Sequence, residues 1–130
     1  MYEWRSGLRL TVLMLMGGCQ PAVELTSFDQ EVMPLFNRHC AVCHMGDGAQ
    51  GEFSFYPLPY QSMVGVKSVQ SPLALIEAGS AEASYVYHKM MGTQQAVNGS
   101  GAGMPYQREL LGETELAMVR QWIDEGANEN

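Results

Sequence analysis

Apolar residues recur at helical spacing in three stretches of the chain. In the first, Phe28, Val32, Leu35 and Phe36 fall on one helical face. Ser27, with Gln30 three residues on, matches a capping box and predicts the helix start. Pro34 lacks a backbone donor, so it either kinks this helix or begins its second half. In the second stretch Ser80 caps a helix predicted over Ala81 to Met91 and closed by Gly92. There Tyr85 and His88 share one face, and Tyr87 and Met91 another. The third runs from about Glu113 to Glu125, with Leu116, Val119, Trp122 and Ile123 facing one way. Glu113 and Glu115 sit in its first turn, where the helix dipole favours negative charge, and Gly126 is a natural stop.

The stretch from Gly46 to Ser71 has no such period. Phe53, Phe55, Tyr56, Pro57, Pro59 and Tyr60 suggest a partly apolar loop with one helical turn near Tyr60 to Val64. No internal repeat and no βαβ pattern appear, so the expected class is all-α, in one domain.

Ahead of the first helix the pattern changes. Arg5 and Arg9 precede an uncharged, mostly apolar run from Leu10 to Met16, then Gly17, Gly18 and Cys19. That order is a secretory signal, and its apolar run is far below the ~20 residues that span a bilayer. Leu15-Met16-Gly17-Gly18-Cys19 resembles a bacterial lipoprotein cleavage box. The resemblance implies cleavage before Cys19 and lipid on its thiol, each buried methylene holding the protein to a membrane by ~0.8 kcal/mol. The expected division is a leader over 1–18, a lipidated tether over 19–26 and a folded domain over 27–130.

Charge narrows the partners. The net charge is −7, from 14 acidic and 7 basic residues without a basic stripe, which argues against nucleic-acid binding. It suits solubility and attraction to a partner with a basic face.

Three cysteines leave one outside any disulfide pair. Cys19 stands apart, whereas Cys40-Ala41-Val42-Cys43-His44 forms C-x-x-C-H, the attachment signature of c-type haem. Two thiols three residues apart reach the two vinyl groups on one porphyrin edge, and the adjacent imidazole falls beneath the iron. A redox dithiol or half a zinc site are the alternatives. The first wants a βαβ setting, and the second wants further ligands where only His39 and His88 remain.

Methionine and histidine are the common sixth ligands of such an iron. Of ten methionines, Met104 stands out, within Asn98-Gly99-Ser100-Gly101-Ala102-Gly103-Met104-Pro105. Glycines let a backbone pass close to a flat ligand, and Pro105 restricts the residue before it. Met104 is the expected axial ligand opposite His44, with His88 or an open position as alternatives. His39 is expected as a solvated neighbour of the ring edge. Tyr85, Tyr87, Ser68 and Gln70 are candidate partners for a haem propionate.

With those residues in view, the chain resembles class I cytochromes c, and more narrowly bacterial single-haem domains ending in Met-Pro…Trp-Ile…Gly-Ala. The matches are Cys40, Cys43, His44, Met104, Pro105, Trp122, Ile123, Gly126 and Ala127. The resemblance covers about residues 27–127. It implies a helical domain wrapped around one covalent haem, with first and last helices crossing, so that Phe36 and Trp122 are candidates for that contact. The implied function is membrane-anchored, single-electron transfer to redox partner proteins in the periplasm-facing bacterial envelope, not enzymatic turnover. Two ligands leave the iron no vacancy, and both methionine ligation and burial raise its potential. Two other readings are a small-ligand sensor or peroxidase-like enzyme with a labile Met104, and an accessory subunit of a fixed redox complex. No distal acid–base pair is evident for the former.

Overall fold

The computed structural model describes residues 24–46 and 51–130. The expected leader, and Cys19 with the lipid expected on it, lie outside the described residues. Within them the fold is all-α: three short α-helices, with irregular chain between them and no strand.

The first helix opens with a π-helical turn, Phe28–Val32, and continues without a break as α1, Met33–His39. Pro34 brings no N–H, so the turn ahead of it is bonded in a wider register. Val32 N–H and Met33 N–H each reach back five residues, to the carbonyls of Ser27 and Phe28. Pro34 thus stands at the start of the second half. The wide turn also alters the cap. Ser27 Oγ accepts from Gln30 N–H at 3.2 Å, yet the returning bond to Ser27 N–H comes from Glu31, at 2.8 Å, not from Gln30.

The predicted helix over Ala81 to Met91 is two pieces. A 3₁₀ turn, Ala81–Ala83, is capped by Ser80, whose Oγ accepts from Ala83 N–H. α2, Tyr85–Met91, begins after Ser84, which is extended (φ −105°, ψ 111°). The reason is tertiary: Tyr85 N–H and Val86 N–H donate to the carbonyls of Ala74 and Leu75 in the preceding irregular segment. Those bonds replace the ones a continuous helix would supply. Ser84 Oγ donates to Ser80 O and accepts from Glu77 N–H, completing the break.

Residues 51–80 make one helical turn at Tyr60, whose carbonyl accepts from both Met63 and Val64, and then isolated bridges such as Val64 with Ile76. The third helix, α3, is Glu113–Asp124. It buries Val119, Trp122 and Ile123 completely. Phe28 stacks on Trp122, and Phe36 meets it edge-on, so the first and last helices share an aromatic core. Each fully buried large side chain there stabilises the fold by about 1.5–3 kcal/mol.

The end of the chain returns to the first helix. Asn130 accepts through its main-chain oxygen from Asp29 N–H and Ser27 Oγ, and through Oδ1 from Phe28 N–H. Trp122 Nε1 donates to Asn128 O, and Tyr60 Oη to Ala127 O. This clasp satisfies N–H groups that a helix start leaves without internal partners.

Candidate functional site

α1 runs straight into the cysteine motif. Cys40 N–H still bonds back to Phe36 O, but Cys40 departs from helical geometry (φ −120°, ψ −37°). Its carbonyl then accepts from both Cys43 N–H and His44 N–H, each at 3.1 Å. One tight turn therefore carries Cys40, Cys43 and His44 at positions i, i+3 and i+4, the spacing that shares a face. Ala41 points inward, while Val42 is 79 % exposed. Cys40 is half-buried, Cys43 is exposed, and both thiols are free.

Burial, reinforced by the neighbouring Cys43 thiol, pushes the Cys40 thiol up to about 12. A dithiol that works by exchange needs a thiolate near neutrality, so this environment is the reverse of a reactive redox pair. Among the described residues no group of three His, Cys, Asp or Glu could hold a bare metal ion.

His44 is held by rings. Phe53 stacks on its imidazole at 4.7 Å with planes 6° apart, and Phe55 meets it edge-on. Phe55 N–H donates to His44 O at 2.6 Å, which pins this aromatic segment to the motif turn. Gly51, at φ +89°, brings backbone so close that a Cβ there would stand 3.1 Å from His44 Cε1. Burial lowers the His44 pKa, the Phe53 backbone opposes that shift, and the Lys89 charge adds to the lowering. The imidazole is therefore kept neutral, the form that ligates metals. Its Nδ1 is buried and, among the described residues, completes no hydrogen bond. A buried polar atom without a partner is costly and rare.

The motif opens onto a cavity of about 360 Å³, within the range of small-molecule sites. Cys40, Cys43 and His44 line it, and so does Met104, 60 residues later in sequence. Leu75, Val86 and Met90 make its lining largely apolar.

No family model, no curated protein and no solved structure matches this chain. Its chemistry has to be read from the residues themselves.

The remaining candidates divide by what their polar atoms already do. His88 is buried away from the cavity with both ring nitrogens engaged, Nδ1 with Thr93 Oγ1 at 2.9 Å and Nε2 with Glu82 O at 3.0 Å. It is a packed structural histidine, and its sequence position gave no hint of those two partners. His39 does line the cavity, but its Nε2 is tied to Glu115 at 2.9 Å, so it is paired rather than merely solvated. Tyr85 borders the cavity with its hydroxyl committed to Ser100 O at 2.6 Å. Ser68 Oγ is committed to Glu52, and Gln70 lines the cavity. Tyr87 is buried and absent from the lining.

Three charged lining residues escaped the sequence reading, Glu52, Lys89 and Arg108. Glu52 accepts from Ser68 Oγ and Val69 N–H. Lys89 follows Tyr85 by one helical turn, and that i,i+4 relation to an inward tyrosine was the available signal.

Proposed function

We propose that this chain is a monohaem c-type cytochrome, anchored to the bacterial envelope through lipid on Cys19, that passes single electrons between partner proteins. The observation that carries the reading is the convergence of Cys40, Cys43, His44 and Met104 on one apolar cavity. Two free thiols, a neutral imidazole whose ring is fixed by Phe53, and a thioether form a donor set suited to covalent haem.

When bound, haem supplies a one-electron iron couple. The residues supply the rest. Cys40 and Cys43 would hold the porphyrin edge by thioethers, and His44 would be the ligand through Nε2, which leaves Nδ1 to carry the proton. The Phe53 ring stacked on the imidazole, with Gly51 close to its edge, would fix the ring's orientation. Met104 would supply a thioether as the second protein ligand, in place of small molecules. The largely apolar lining would favour the less charged ferrous state of a bound haem. Exposure of Cys43 and Val42 leaves the attachment turn at the surface, where a partner can approach.

The test is maturation of the full chain in a host competent for haem attachment. A red protein is expected, with haem retained through denaturation, a low-spin spectrum, and loss of the methionine signature in Met104→Ala. A colourless product with both thiols free removes the proposal.

A further inference from the structure

Lys89 lies in the middle of the buried face of α2 and is only 9 % exposed. A lysine that dry needs acceptors for its ammonium, because an unpaired buried charge is strongly disfavoured. It finds them in the glycine-rich segment. Nζ donates to Ser100 O and to Ala102 O, both at 2.9 Å. At the other end of the same residue, Lys89 O accepts from Met104 N–H at 2.8 Å. One side chain and its own carbonyl therefore grip the loop at 100, 102 and 104.

Neighbouring residues reinforce the grip. Tyr85 Oη donates to the same Ser100 O, Gln94 Nε2 donates to Gly101 O at 3.1 Å, and Gln70 O accepts from Ser100 N–H. Gly101 sits at φ +74°, and a Cβ there would fall 2.8 Å from Lys89 Nζ. The loop is thus drawn as close to the ammonium as a side-chain-free backbone allows. Ser100, Gly101 and Ala102 are themselves exposed, so nothing outside them holds the loop down.

We infer that Lys89 is the positioning residue that keeps the Met104 loop closed over the cavity, presenting the thioether and keeping foreign ligands out. This rests on the haem reading above. Charge-assisted bonds to two carbonyls are stronger and more directional than the neutral contacts a leucine or methionine would make at this place. Their loss releases Ala102 and weakens the hold on Ser100, leaving the loop attached through Tyr85, Gln70, Gln94 and Met104 N–H. Lys89 also sets a positive charge at the cavity wall, which disfavours oxidation of a bound iron.

The experiment compares holoprotein, Lys89→Met and Lys89→Arg by covalent haem content, by the weak red absorption of ferric iron bound to thioether sulfur, and by imidazole titration. Lys89→Met is expected to keep its covalent haem, lose intensity in the red band, and bind imidazole about tenfold more tightly or better. Lys89→Arg, which keeps the charge and the donors, is expected to fall between the two. A red parent whose Lys89→Met variant binds imidazole as the parent does overturns the clamp and leaves the haem reading standing. A parent without covalent haem overturns both.

Should Lys89→Met fail to fold, acetylation of the parent decides. Lys89 is expected to react far more slowly than exposed Lys67, and to lose that protection when imidazole saturates the iron. Equal reactivity of the two lysines, or protection unchanged by imidazole, overturns the clamp.

Discussion

Phe36 meets Trp122 edge-on, with ring centroids 6.4 Å apart and planes at 83°. Phe28 stacks on the same indole at 5.3 Å, so Trp122 joins both halves of the first helix to α3. Its Nε1–H is also spent, on Asn128 O at 2.9 Å. Trp122→Ala is expected to cost about 3–5 kcal/mol, the range for emptying a large buried aromatic. Trp122→Phe should cost less, since it keeps the stacking and loses the hydrogen bond and part of the volume. Urea unfolding midpoints measure both.

Glu115 ties α3 to the end of α1. Its Oε1 faces His39 Nε2 at 2.9 Å and Arg38 Nη1 at 3.3 Å. The hydrogen bond from His39, then that ring's charge, the Gly112 backbone and Arg38 together hold the carboxyl below the usual 4.5, against a partial desolvation that raises it. A depressed carboxylate stabilises the fold above its unfolded value, and that stabilisation fades as pH falls through the folded value. Exposed pairs of this kind are worth less than about 1 kcal/mol. Glu115→Gln is therefore expected to lower the melting temperature slightly near neutrality and to approach the parent in acid, as pH falls through the depressed folded value. An unchanged gap at the two pH values would show that the carboxylate's charge is not what matters there.

Gly99 is a position where only hydrogen fits. A Cβ there would run into the Tyr85 ring and stand 2.7 Å from Gln94 O. Gly99→Ala is expected to cost about 1–3 kcal/mol by overpacking and, in holoprotein, to loosen Met104 along with its loop. Gly112 is the natural control, since a Cβ there meets nothing within 4 Å and its φ is −70°. Gly112→Ala, at the N-cap of α3 where alanine is a poorer cap, should cost about 1 kcal/mol or less, with no overpacking. Thermal melts of the two variants beside the parent check the contrast.

What the sequence disclosed follows from the range of the forces involved. The first and last helices carry a full apolar face, Phe28 to Phe36 and Leu116 to Ile123, so their period was visible in the chain. The break at Ser84 was not, because it depends on Ala74 and Leu75 taking the N–H groups of Tyr85 and Val86. Apart from the turn at Tyr60, which was expected, residues 51–80 hid for the same reason. Leu75 N–H bonds to Val66 O, and Gly79 N–H reaches Ile123 O, contacts that leave no local period.

At the cavity, the cysteine turn was legible because its hydrogen bonds lie within five residues, and the glycines around Met104 marked a close-packed loop. Lys89 was illegible. A lysine on a helix normally extends to water, and only the return of residues 100–102 gives this one its acceptors. His88, held as an alternative ligand, is the opposite case: Thr93 and Glu82 take its ring nitrogens, contacts set by packing and not by the local sequence.

The clasp between Asn130 and the start of the first helix also sets how the molecule meets mechanical load. Thr26 N–H is held by Glu125 Oε2 at 2.8 Å, and Ser27 Oγ by Asn130 O at 2.8 Å. Tension arriving through the residues before Leu25 is handed across to α3 and the tail before any turn of α1 is strained. A pull on the chain ahead of Leu25 would thus load the contacts of Thr26 and Ser27 before it reached the cysteine turn.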